Sequence, residues 1–271
     1  MDKHLIFMDI DGTLVNNQQE ISKKNKTVIN MLQKKGHLFY VATGRKYSSA
    51  IQIANKLSEQ TQVVASNGSV YSINQTLHKE QLSENALKKI YETTAPKQLP
   101  VFFFGEHTVF YTQQLPEYLQ KNDQSRIGNS EEDFCFIDSL DTLFSVKNRI
   151  INGIIIADNQ ETELKEIRHI LEKSELLSVS SSHPNNIELI PLGINKATAI
   201  QAIQKELAIP KERIISFGDG QNDLEMLQAS GISVAMGNAV NELKQQATFV
   251  TDTNLEDGIA NFLINYFNQK E

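Results

Sequence analysis

The first eighty residues alternate short apolar runs with segments whose apolar positions recur at helical spacing. The apolar run Leu5–Met8 precedes a helix-patterned segment at 22–35, and a second run at 37–42 precedes another at 51–57. A third apolar run follows at 63–65. Short, wholly apolar runs are typical of strands buried in a parallel sheet, and an apolar stripe indicates a helix covering it. Because strand and helix alternate, the sequence predicts a parallel sheet with right-handed crossovers.

The pattern changes from about Glu80. A helix is predicted over 83–94, and the apolar runs 101–104 and 108–111 flank a turn that contains Gly105, which favours a hairpin. Further on, the sequence predicts a polar loop at 122–133, strands at 150–157, 177–181 and 187–190, and a helix at 161–173. Because hairpins and helices mix here, we predict a separate α+β domain.

After Pro191 the first pattern returns. Helices are predicted over 196–207, from 224 to Gly231 and over 256–267, and strands over 213–217, 232–236 and 248–250. One α/β domain is therefore interrupted by another. We predict the α/β class, with a Rossmann-like parallel sheet core formed by residues 1–81 and 187–271 and an inserted α+β domain at 82–186.

Composition and charge exclude several classes of protein. The net charge of −7 and the pI near 5.5 argue against nucleic acid or an anionic membrane as the main partner. Cys135 is the only cysteine, so there is neither an intrachain disulfide nor a zinc-thiolate cluster. The N-terminus is unlike a signal peptide, and no apolar run approaches the length of a membrane span. We therefore expect a cytoplasmic protein.

Two aspartates follow the first apolar run. Side-chain alternation along a strand places Asp9 and Asp11 on the same side, and Gly12 then allows the backbone to turn. Two carboxylates at the end of a buried strand repel each other, so one should hold a proton or a cation should lie between them. This spacing alone is a weak sign of a functional site.

Other polar residues are predicted at the same edge of the sheet, where ligands bind in open parallel sheets. Those at strand ends are Asp9, Asp11, Thr43, Ser66, Asn67 and Asp219, with Asp223 four residues later and Lys196 near a helix start. The four aspartates form an all-oxygen environment that suits Mg²⁺. Thr43 and Asn67 can bond phosphate oxygens, and Lys196 adds positive charge. This set favours phosphoryl transfer, and there is no P-loop sequence.

These residues resemble the motifs of a known family, the haloacid dehalogenase-like phosphatases. Residues 9–13 (DIDGT) resemble its first motif, Thr43 in 41–45 (VATGR) its second, Lys196 in 193–196 (GINK) its third, and 218–223 (GDGQND) its fourth. The order of the motifs and the position of the inserted domain resemble the Cof-type subgroup (HAD-IIB), which carries a C2-type cap. Ala197 departs from the pattern, since many relatives have glycine there.

The resemblance implies a Mg²⁺-dependent phosphatase of small phosphorylated metabolites, such as sugar phosphates or phosphorylated cofactors. Asp9 would be the nucleophile that forms an aspartyl-phosphate, and Asp11 the general acid and base. Thr43 and Lys196 would orient and neutralise the phosphoryl group. The implied metal residues are Asp9, Asp11 (through its backbone carbonyl), Asp219 and Asp223. The implied substrate-binding residues are Thr43, Gly44, Arg45, Asn67, Lys196 and Asn222.

Several alternatives remain open at the level of sequence. Arg45 is equally compatible with a phosphate contact and with a structural ion pair. Asp219 and Asp223, taken alone, would be read as helix caps. The inserted domain would act as a cap that closes over the crevice and selects the leaving group. Two other functions are compatible with the residues: a sugar phosphomutase, and a catalytically silent protein that binds a phosphorylated ligand. The sequence predicts neither the substrate nor the oligomeric state.

Overall fold

A computed structural model describes residues 2–74, 76–113, 133–157, 160–181 and 184–269. The chain divides into two compact units, each with its own sheet. Unit 1 comprises Met1–Arg45, Ala50–His78 and Asn195–Glu271, and unit 2 comprises Lys46–Ser49 and Lys79–Ile194.

The strands and helices of the described residues are numbered in chain order. The strands are β1 (Leu5–Met8), β2 (Leu38–Ala42), β3 (Gln62–Ala65), β4 (Val70–Ile73), β5 (Thr76–Lys79), β6 (Val101–Phe104), β7 (Thr108–Tyr111), β8 (Asp133–Phe136), β9 (Asn152–Ile156), β10 (Leu177–Ser180), β11 (Asn186–Pro191), β12 (Ile214–Gly218), β13 (Ile232–Ala235) and β14 (Phe249–Val250). The α-helices are α1 (Lys23–Lys34), α2 (Tyr47–Leu57), α3 (Glu84–Thr94), α4 (Leu140–Ser145), α5 (Glu161–Ser174), α6 (Lys196–Leu207), α7 (Leu224–Ala229), α8 (Asn241–Gln246) and α9 (Gly258–Asn268).

Unit 1 contains an eight-stranded sheet in the order β14-β13-β12-β1-β2-β3-β4-β5. The six strands from β14 to β3 are parallel, whereas β4 runs antiparallel to β3. Strand β1 lies at the centre, and its four side chains are fully buried. The predicted parallel sheet is confirmed. The extension of the sheet by β4 and β5 was not predicted, because 70–79 is largely polar and β5 is exposed on most of its length.

Unit 2 contains a six-stranded sheet in the order β10-β11-β9-β6-β7-β8. Its pairs are antiparallel except for β7 and β8, and the predicted hairpin is the antiparallel pair β6–β7. Strand residues such as Phe103 and Ile155 share one buried core with helix residues such as Ile90 and Ile167. This architecture is α+β, as the sequence predicted.

The boundary near residue 187 was predicted wrongly. Strand β11 pairs with both β9 and β10, so residues 186–194 belong to unit 2 rather than to the first domain. A short apolar run predicts a strand, but it carries no information about which sheet that strand joins. The polar loop predicted at 122–133 lies outside the described residues, except for Asp133, which begins β8.

Most predicted elements are present within two residues of their predicted bounds, but two short helices were missed. Helix α8 reads Asn-Glu-Leu-Lys-Gln-Gln and buries only Leu243, so its apolar stripe is too short to recognise. Helix α4 likewise buries only Leu143. Among the described residues, the structure contains no helix long and apolar enough to cross a membrane.

Candidate active site

Four neighbouring parallel strands of unit 1 end at one edge of the sheet, and each is followed at once by a polar residue. Asp9 follows β1, Thr43 follows β2, Ser66 follows β3 and Asp219 follows β12. The strand order β12-β1-β2-β3 therefore sets these four residues side by side. This is the arrangement that the sequence predicted for the crevice beyond the carboxyl ends of the strands.

Lys196 bridges two of the buried aspartates. Its Nζ lies 2.6 Å from Asp9 Oδ1 and 2.6 Å from Asp223 Oδ1. Asn195 caps helix α6 through its side chain, which accepts a hydrogen bond from the Thr198 N–H, and thereby fixes Lys196 as the first helical residue. Lys196 and Asp223 are each 1% exposed and Asp9 is 5% exposed, so the charges interact away from bulk water.

Burial and neighbouring charge act in opposite directions on these groups. Burial is the main cause of the raised pKa of Asp9, and the Asp223 carboxylate raises it further, against the opposing effect of Lys196. For Lys196 burial favours the neutral amine, but Asp223 and Asp9 outweigh it and raise the pKa. Lys196 is therefore a firmly charged ammonium that compensates the buried carboxylates.

Asp219 lies beside this ion-pair network. Its Oδ1 accepts a hydrogen bond of 2.8 Å from the Thr13 hydroxyl. Burial, together with the nearby Asp223 carboxylate, raises the pKa of Asp219 to about 6, although the Thr13 bond opposes the shift. The second oxygen of Asp223, Oδ2, accepts hydrogen bonds from the backbone N–H groups of Asp219 and Gly220, at 3.0 and 3.1 Å. Asp223 therefore shapes the loop that carries Asp219.

The acidic cluster fits a divalent cation. Oxygen atoms of Asp9, Asp219 and Asp223 all lie within 4.8 Å of one another. Three carboxylates and the Lys196 ammonium leave two negative charges when all are ionised, which matches the charge of such an ion. All of the donors are oxygen atoms, which suits Mg²⁺ better than zinc or copper.

Gly12 leaves room for this cluster. Its φ of +78° lies in the left-handed region, and a Cβ at this position would lie 2.3 Å from Asp219 Oδ2. The Gly12 carbonyl accepts a hydrogen bond of 2.8 Å from Asn238 Nδ2. Sequence reasoning missed Asn238. The other polar residues at this edge follow a strand directly, and that position identified them in the sequence. Asn238 lies three residues after the end of β13.

The loop after β3 carries two further predicted residues, and it is unusual in conformation. Ser66, Asn67 and Gly68 have φ values of +51°, +52° and +97°, a run of left-handed residues. The Asn67 N–H donates to the Thr43 carbonyl at 3.0 Å, which holds this loop against the end of β2. A Cβ on Gly44 would lie 3.1 Å from Asn67 Oδ1. Thr43, Gly44 and Asn67 therefore form one compact group.

Asp11 does not join the aspartate cluster. Strand β1 ends at Met8, and the Ile10 carbonyl accepts hydrogen bonds from Thr13, Leu14 and Val15, so the alternation that predicted one side for Asp9 and Asp11 does not extend past Met8. The Asp11 side chain is 53% exposed and forms an ion pair with Arg45. Arg45 thus makes the ion pair that was one of its two predicted contacts, and its phosphate contact stays a prediction. Burial would raise the pKa of Asp11, but the Arg45 guanidinium holds it below its usual value.

Asn222 completes the predicted set. It lies in the 3₁₀ turn Gln221–Asp223, next to Asp223 and half-buried. Of the predicted site residues, the structure therefore brings together Asp9, Asp219, Asp223 and Lys196 in one network and Thr43, Gly44 and Asn67 in a second group. Asp11 and Arg45 form a separate pair, joined by Gln19, which sequence reasoning also missed.

Comparison with known proteins decides the family. The profile of the haloacid dehalogenase-like hydrolases matches residues 6–263. The chain belongs to that family. This hydrolase is 32% identical to 5-amino-6-(5-phospho-D-ribitylamino)uracil phosphatase YitU of Bacillus subtilis, with 97% of each chain covered. These findings confirm the predicted α/β class and identify the chain as a phosphatase enzyme.

Solved structures agree with this assignment. A haloacid dehalogenase-like hydrolase from Bacteroides thetaiotaomicron superposes with a TM-score of 0.84 at 27% identity, covering 98% of this chain and 100% of the other. A sugar phosphatase of HAD subclass IIB superposes with a TM-score of 0.79 at 25% identity, covering 97% and 98%. The resemblance to that subgroup is thus confirmed.

Proposed function

We propose that this phosphatase is Mg²⁺-dependent and hydrolyses small phosphorylated metabolites through an aspartyl-phosphate on Asp9. The observation that carries the proposal is the buried network in which Lys196 links Asp9 to Asp223 beside Asp219. Burying these charges costs stability, because the attraction within a buried ion pair seldom exceeds the desolvation penalty of its two charges. A network of this kind therefore indicates a function rather than a contribution to folding. Residues with perturbed pKa values in a crevice are typical of active sites.

Asp9 and Asp219 would hold the magnesium ion, with the Asp11 backbone carbonyl as a further ligand and Asp223 in support. When bound, Mg²⁺ would neutralise charge on the phosphoryl oxygens and so allow a dianion to approach the carboxylates. Thr13 holds the Asp219 carboxylate by a hydrogen bond, and Gly12 leaves room for it because glycine has no side chain.

The covalent step belongs to Asp9. The bond to Lys196 uses Oδ1, so we assign the attack on phosphorus to Oδ2. As the new oxygen–phosphorus bond forms, the bond to the leaving oxygen breaks, and Asp11 supplies the proton that makes the product alcohol. In the second step, water attacks phosphorus and gives its proton to Asp11. The bond to Asp9 then breaks, inorganic phosphate leaves and the Asp9 carboxylate is restored.

The remaining residues would bind the phosphoryl group. Lys196 is a fixed positive charge beside the nucleophile, and Thr43 offers a hydroxyl at the end of the neighbouring strand. Asn67 and Gly44 lie against Thr43, and we assign contacts with phosphate oxygens to the Asn67 amide and to the Gly44 backbone, which no side chain shields. Asn222 would add a contact from the loop after β12. Positioned donors of this kind provide most of the catalysis in phosphoryl transfer.

For the substrate we propose a phosphoric monoester of a sugar or sugar alcohol. The support is the family likeness to a phosphoribitylaminouracil phosphatase and to a sugar phosphatase. Phosphorylated cofactors remain within the proposed class. We also propose that the partner is this small molecule and not nucleic acid, because the chain carries a net charge of −7.

The test is release of inorganic phosphate from a panel of phosphorylated metabolites, measured with Mg²⁺ and again with EDTA. The panel includes 5-amino-6-(5-phosphoribitylamino)uracil, sugar phosphates, flavin mononucleotide and p-nitrophenyl phosphate. Release that depends on Mg²⁺ and is concentrated on a few compounds supports the proposal. Transfer of phosphate between positions of one sugar would support a mutase instead, and binding without turnover would support a silent binding protein.

A further inference from the structure

Asn238 connects the loop after β1 with the turn that follows β14. Its Nδ2 donates to the Gly12 carbonyl at 2.8 Å, and its Oδ1 accepts a hydrogen bond of 3.0 Å from the Asn254 N–H. Because both ends of the amide are bonded to backbone groups, the Asn238 side chain is restricted to one orientation. It thereby reaches a loop that lies 226 positions away in the chain.

The segment on both sides of Asn238 is bonded to the loop that carries Asp219. The Met236 N–H donates to the Gly218 carbonyl and the Val240 N–H donates to the Asp219 carbonyl, each at 3.0 Å. One short segment after β13 therefore joins two loops of the candidate metal site. It bonds the loop after β12 through its backbone and the loop after β1 through the side chain of its central residue.

The loop after β1 lies directly against the Asp219 carboxylate. Thr13 Oγ1 donates to Asp219 Oδ1 at 2.8 Å, and a Cβ on Gly12 would lie 2.3 Å from Asp219 Oδ2. Both carboxylate oxygens are therefore close to residues 12 and 13. The orientation of the carboxylate thus depends on where the peptide unit between Gly12 and Thr13 lies.

A glycine at this position restrains its own backbone less than any other residue, because it has no Cβ to limit φ and ψ. The close approach of Asp219 nevertheless excludes a side chain at Gly12, so the restraint has to come from another residue. Asn238 supplies it at the Gly12 carbonyl, at 2.8 Å. The N–H of the same peptide unit, on Thr13, donates to the Ile10 carbonyl at a longer 3.4 Å.

Stability gives only a small reason for the contact between Asn238 and Gly12. Asn238 is exposed, and a neutral hydrogen bond contributes about 0.5 to 1.5 kcal/mol. Orientation gives a larger reason. Residues that hold metal ligands in place through hydrogen bonds change metal affinity by about 10- to 100-fold when they are removed.

We infer that Asn238 is a positioning residue for the metal site, which holds the Gly12–Thr13 peptide unit and through it the Asp219 carboxylate. The inference rests on the proposed binding of Mg²⁺ by Asp219. Asn238 acts through Gly12 and Thr13 and is not itself a ligand. Its loss should therefore weaken Mg²⁺ binding although every carboxylate of the site remains.

The experiment measures the Mg²⁺ affinity of the full chain without substrate. The unfolding midpoint is followed over a series of Mg²⁺ concentrations, since an ion that binds only the folded state stabilises it by an amount set by its dissociation constant. Asn238→Ala is compared with Asn254→Ala. Asn254 Nδ2 donates to the Val15 carbonyl at 2.9 Å, so the control also loses a side-chain bond to the loop after β1. It keeps the backbone N–H that bonds Asn238.

We expect Asn238→Ala to raise the dissociation constant for Mg²⁺ about tenfold and Asn254→Ala to raise it less than about twofold. The Mg²⁺ concentration for half-maximal phosphate release should shift in the same way. In EDTA both variants should remain folded, because each loses only contacts near the protein surface.

Thr13→Val tests whether Asn238 acts through Thr13. Valine keeps the shape of threonine but cannot donate a hydrogen bond to Asp219. In the Thr13→Val background, Asn238→Ala should raise the dissociation constant by less than about twofold, since coupled residues are not additive. A full tenfold increase in that background would overturn the inference.

An unchanged dissociation constant in Asn238→Ala, or equal increases in the two asparagine variants, would also overturn the inference while leaving the proposed function intact. So would an Asn238→Ala chain that does not fold in EDTA, because the residue would then serve the fold itself. The proposed function would fail separately if the unsubstituted chain were neither stabilised by Mg²⁺ nor dependent on it for phosphate release.

Discussion

Lys196 Nζ lies 2.6 Å from Asp9 Oδ1, although the two residues are 187 positions apart in the chain. Asp9 follows the central strand β1 and Lys196 begins helix α6. The Lys196 and Asp9 side chains are only 1% and 8% exposed, so the ammonium pairs with Asp9 and Asp223 rather than with water. Two consequences follow, one for stability and one for catalysis.

Lys196→Met should destabilise unit 1 strongly. Methionine fills a similar volume but leaves Asp9 and Asp223 buried without their cation, and breaking a buried pair in this way costs about 3 to 5 kcal/mol. The measurement is the free energy of unfolding in urea at pH 7. Added Mg²⁺ should recover part of the loss by replacing the missing charge.

Lys205→Met is the control for this prediction, since it removes an exposed lysine from the same helix. Its free energy of unfolding should stay within about 0.5 kcal/mol of the unsubstituted value. A similarly small effect for Lys196→Met would show that the Lys196 ammonium does not stabilise the buried carboxylates of Asp9 and Asp223.

Asp9→Asn should abolish turnover without unfolding the protein. The amide has the shape of the carboxylate and can still accept a bond from Lys196, but it cannot attack phosphorus. We expect kcat to fall by at least about a thousandfold. Phosphate release is measured for this variant and for Asp141→Asn, an isosteric change at an exposed position of α4. Substantial activity in a folded Asp9→Asn protein would refute the nucleophile assignment.

The parts of this site that depend on strand ends could be read from the sequence. Asp9, Thr43 and Asp219 each come directly after an apolar run, and parallel strands bring such residues to one edge. The surroundings of Asp11 could not be read in the same way, because they depend on where strand β1 stops. A turn centred on the Ile10 carbonyl replaces the regular alternation that would have set Asp11 beside Asp9.

Contacts between distant segments were also beyond the sequence. Gln19 is one of several polar residues in its turn, and only the three-dimensional structure shows that its amide reaches Arg45 and Asp11. The same limit explains the domain boundary. The apolar run in β11 resembles the strands of either sheet, and its partners β9 and β10 are fixed by packing across the whole of unit 2.

His37 should make unit 1 sensitive to acid. Its side chain is 2% exposed, and its Nδ1 accepts a hydrogen bond of 3.2 Å from the His4 N–H. Burial, together with the neighbouring His4 and Lys35, lowers the pKa of His37 to about 4. The unfolded chain, with an ordinary pKa of about 6.5, takes up a proton first, so stability should fall as the pH drops from about 6.5 towards 4.

The contribution of His37 to this fall should be about 1 to 3 kcal/mol in the free energy of unfolding. His37→Asn keeps an acceptor for the His4 N–H but cannot titrate, so its disadvantage at pH 7 should shrink or reverse at pH 5. His78→Asn, at an exposed position of the same unit, should keep the pH dependence of the unsubstituted protein. Parallel pH profiles for all three proteins would contradict the prediction.

Gly12→Ala should damage the candidate metal site beyond its effect on the backbone. Gly12 and Gly36 both have positive φ, +78° and +95°, so alanine at either position is strained by about 1 to 3 kcal/mol. A Cβ at Gly36 meets nothing within 4 Å, whereas one at Gly12 would lie 2.3 Å from Asp219 Oδ2. Only the Gly12 variant must therefore displace a carboxylate that we assign to Mg²⁺.

The two glycine variants together separate strain from site damage. We expect both to lose stability, but only Gly12→Ala should need at least about tenfold more Mg²⁺ for half-maximal phosphate release, because displacing one ligand weakens the donor set. The measurement is the Mg²⁺ dependence of phosphate release, with each protein held well below its unfolding midpoint. Equal Mg²⁺ requirements in the two variants would show that the Asp219 carboxylate, as placed beside Gly12, does not contribute to binding the ion.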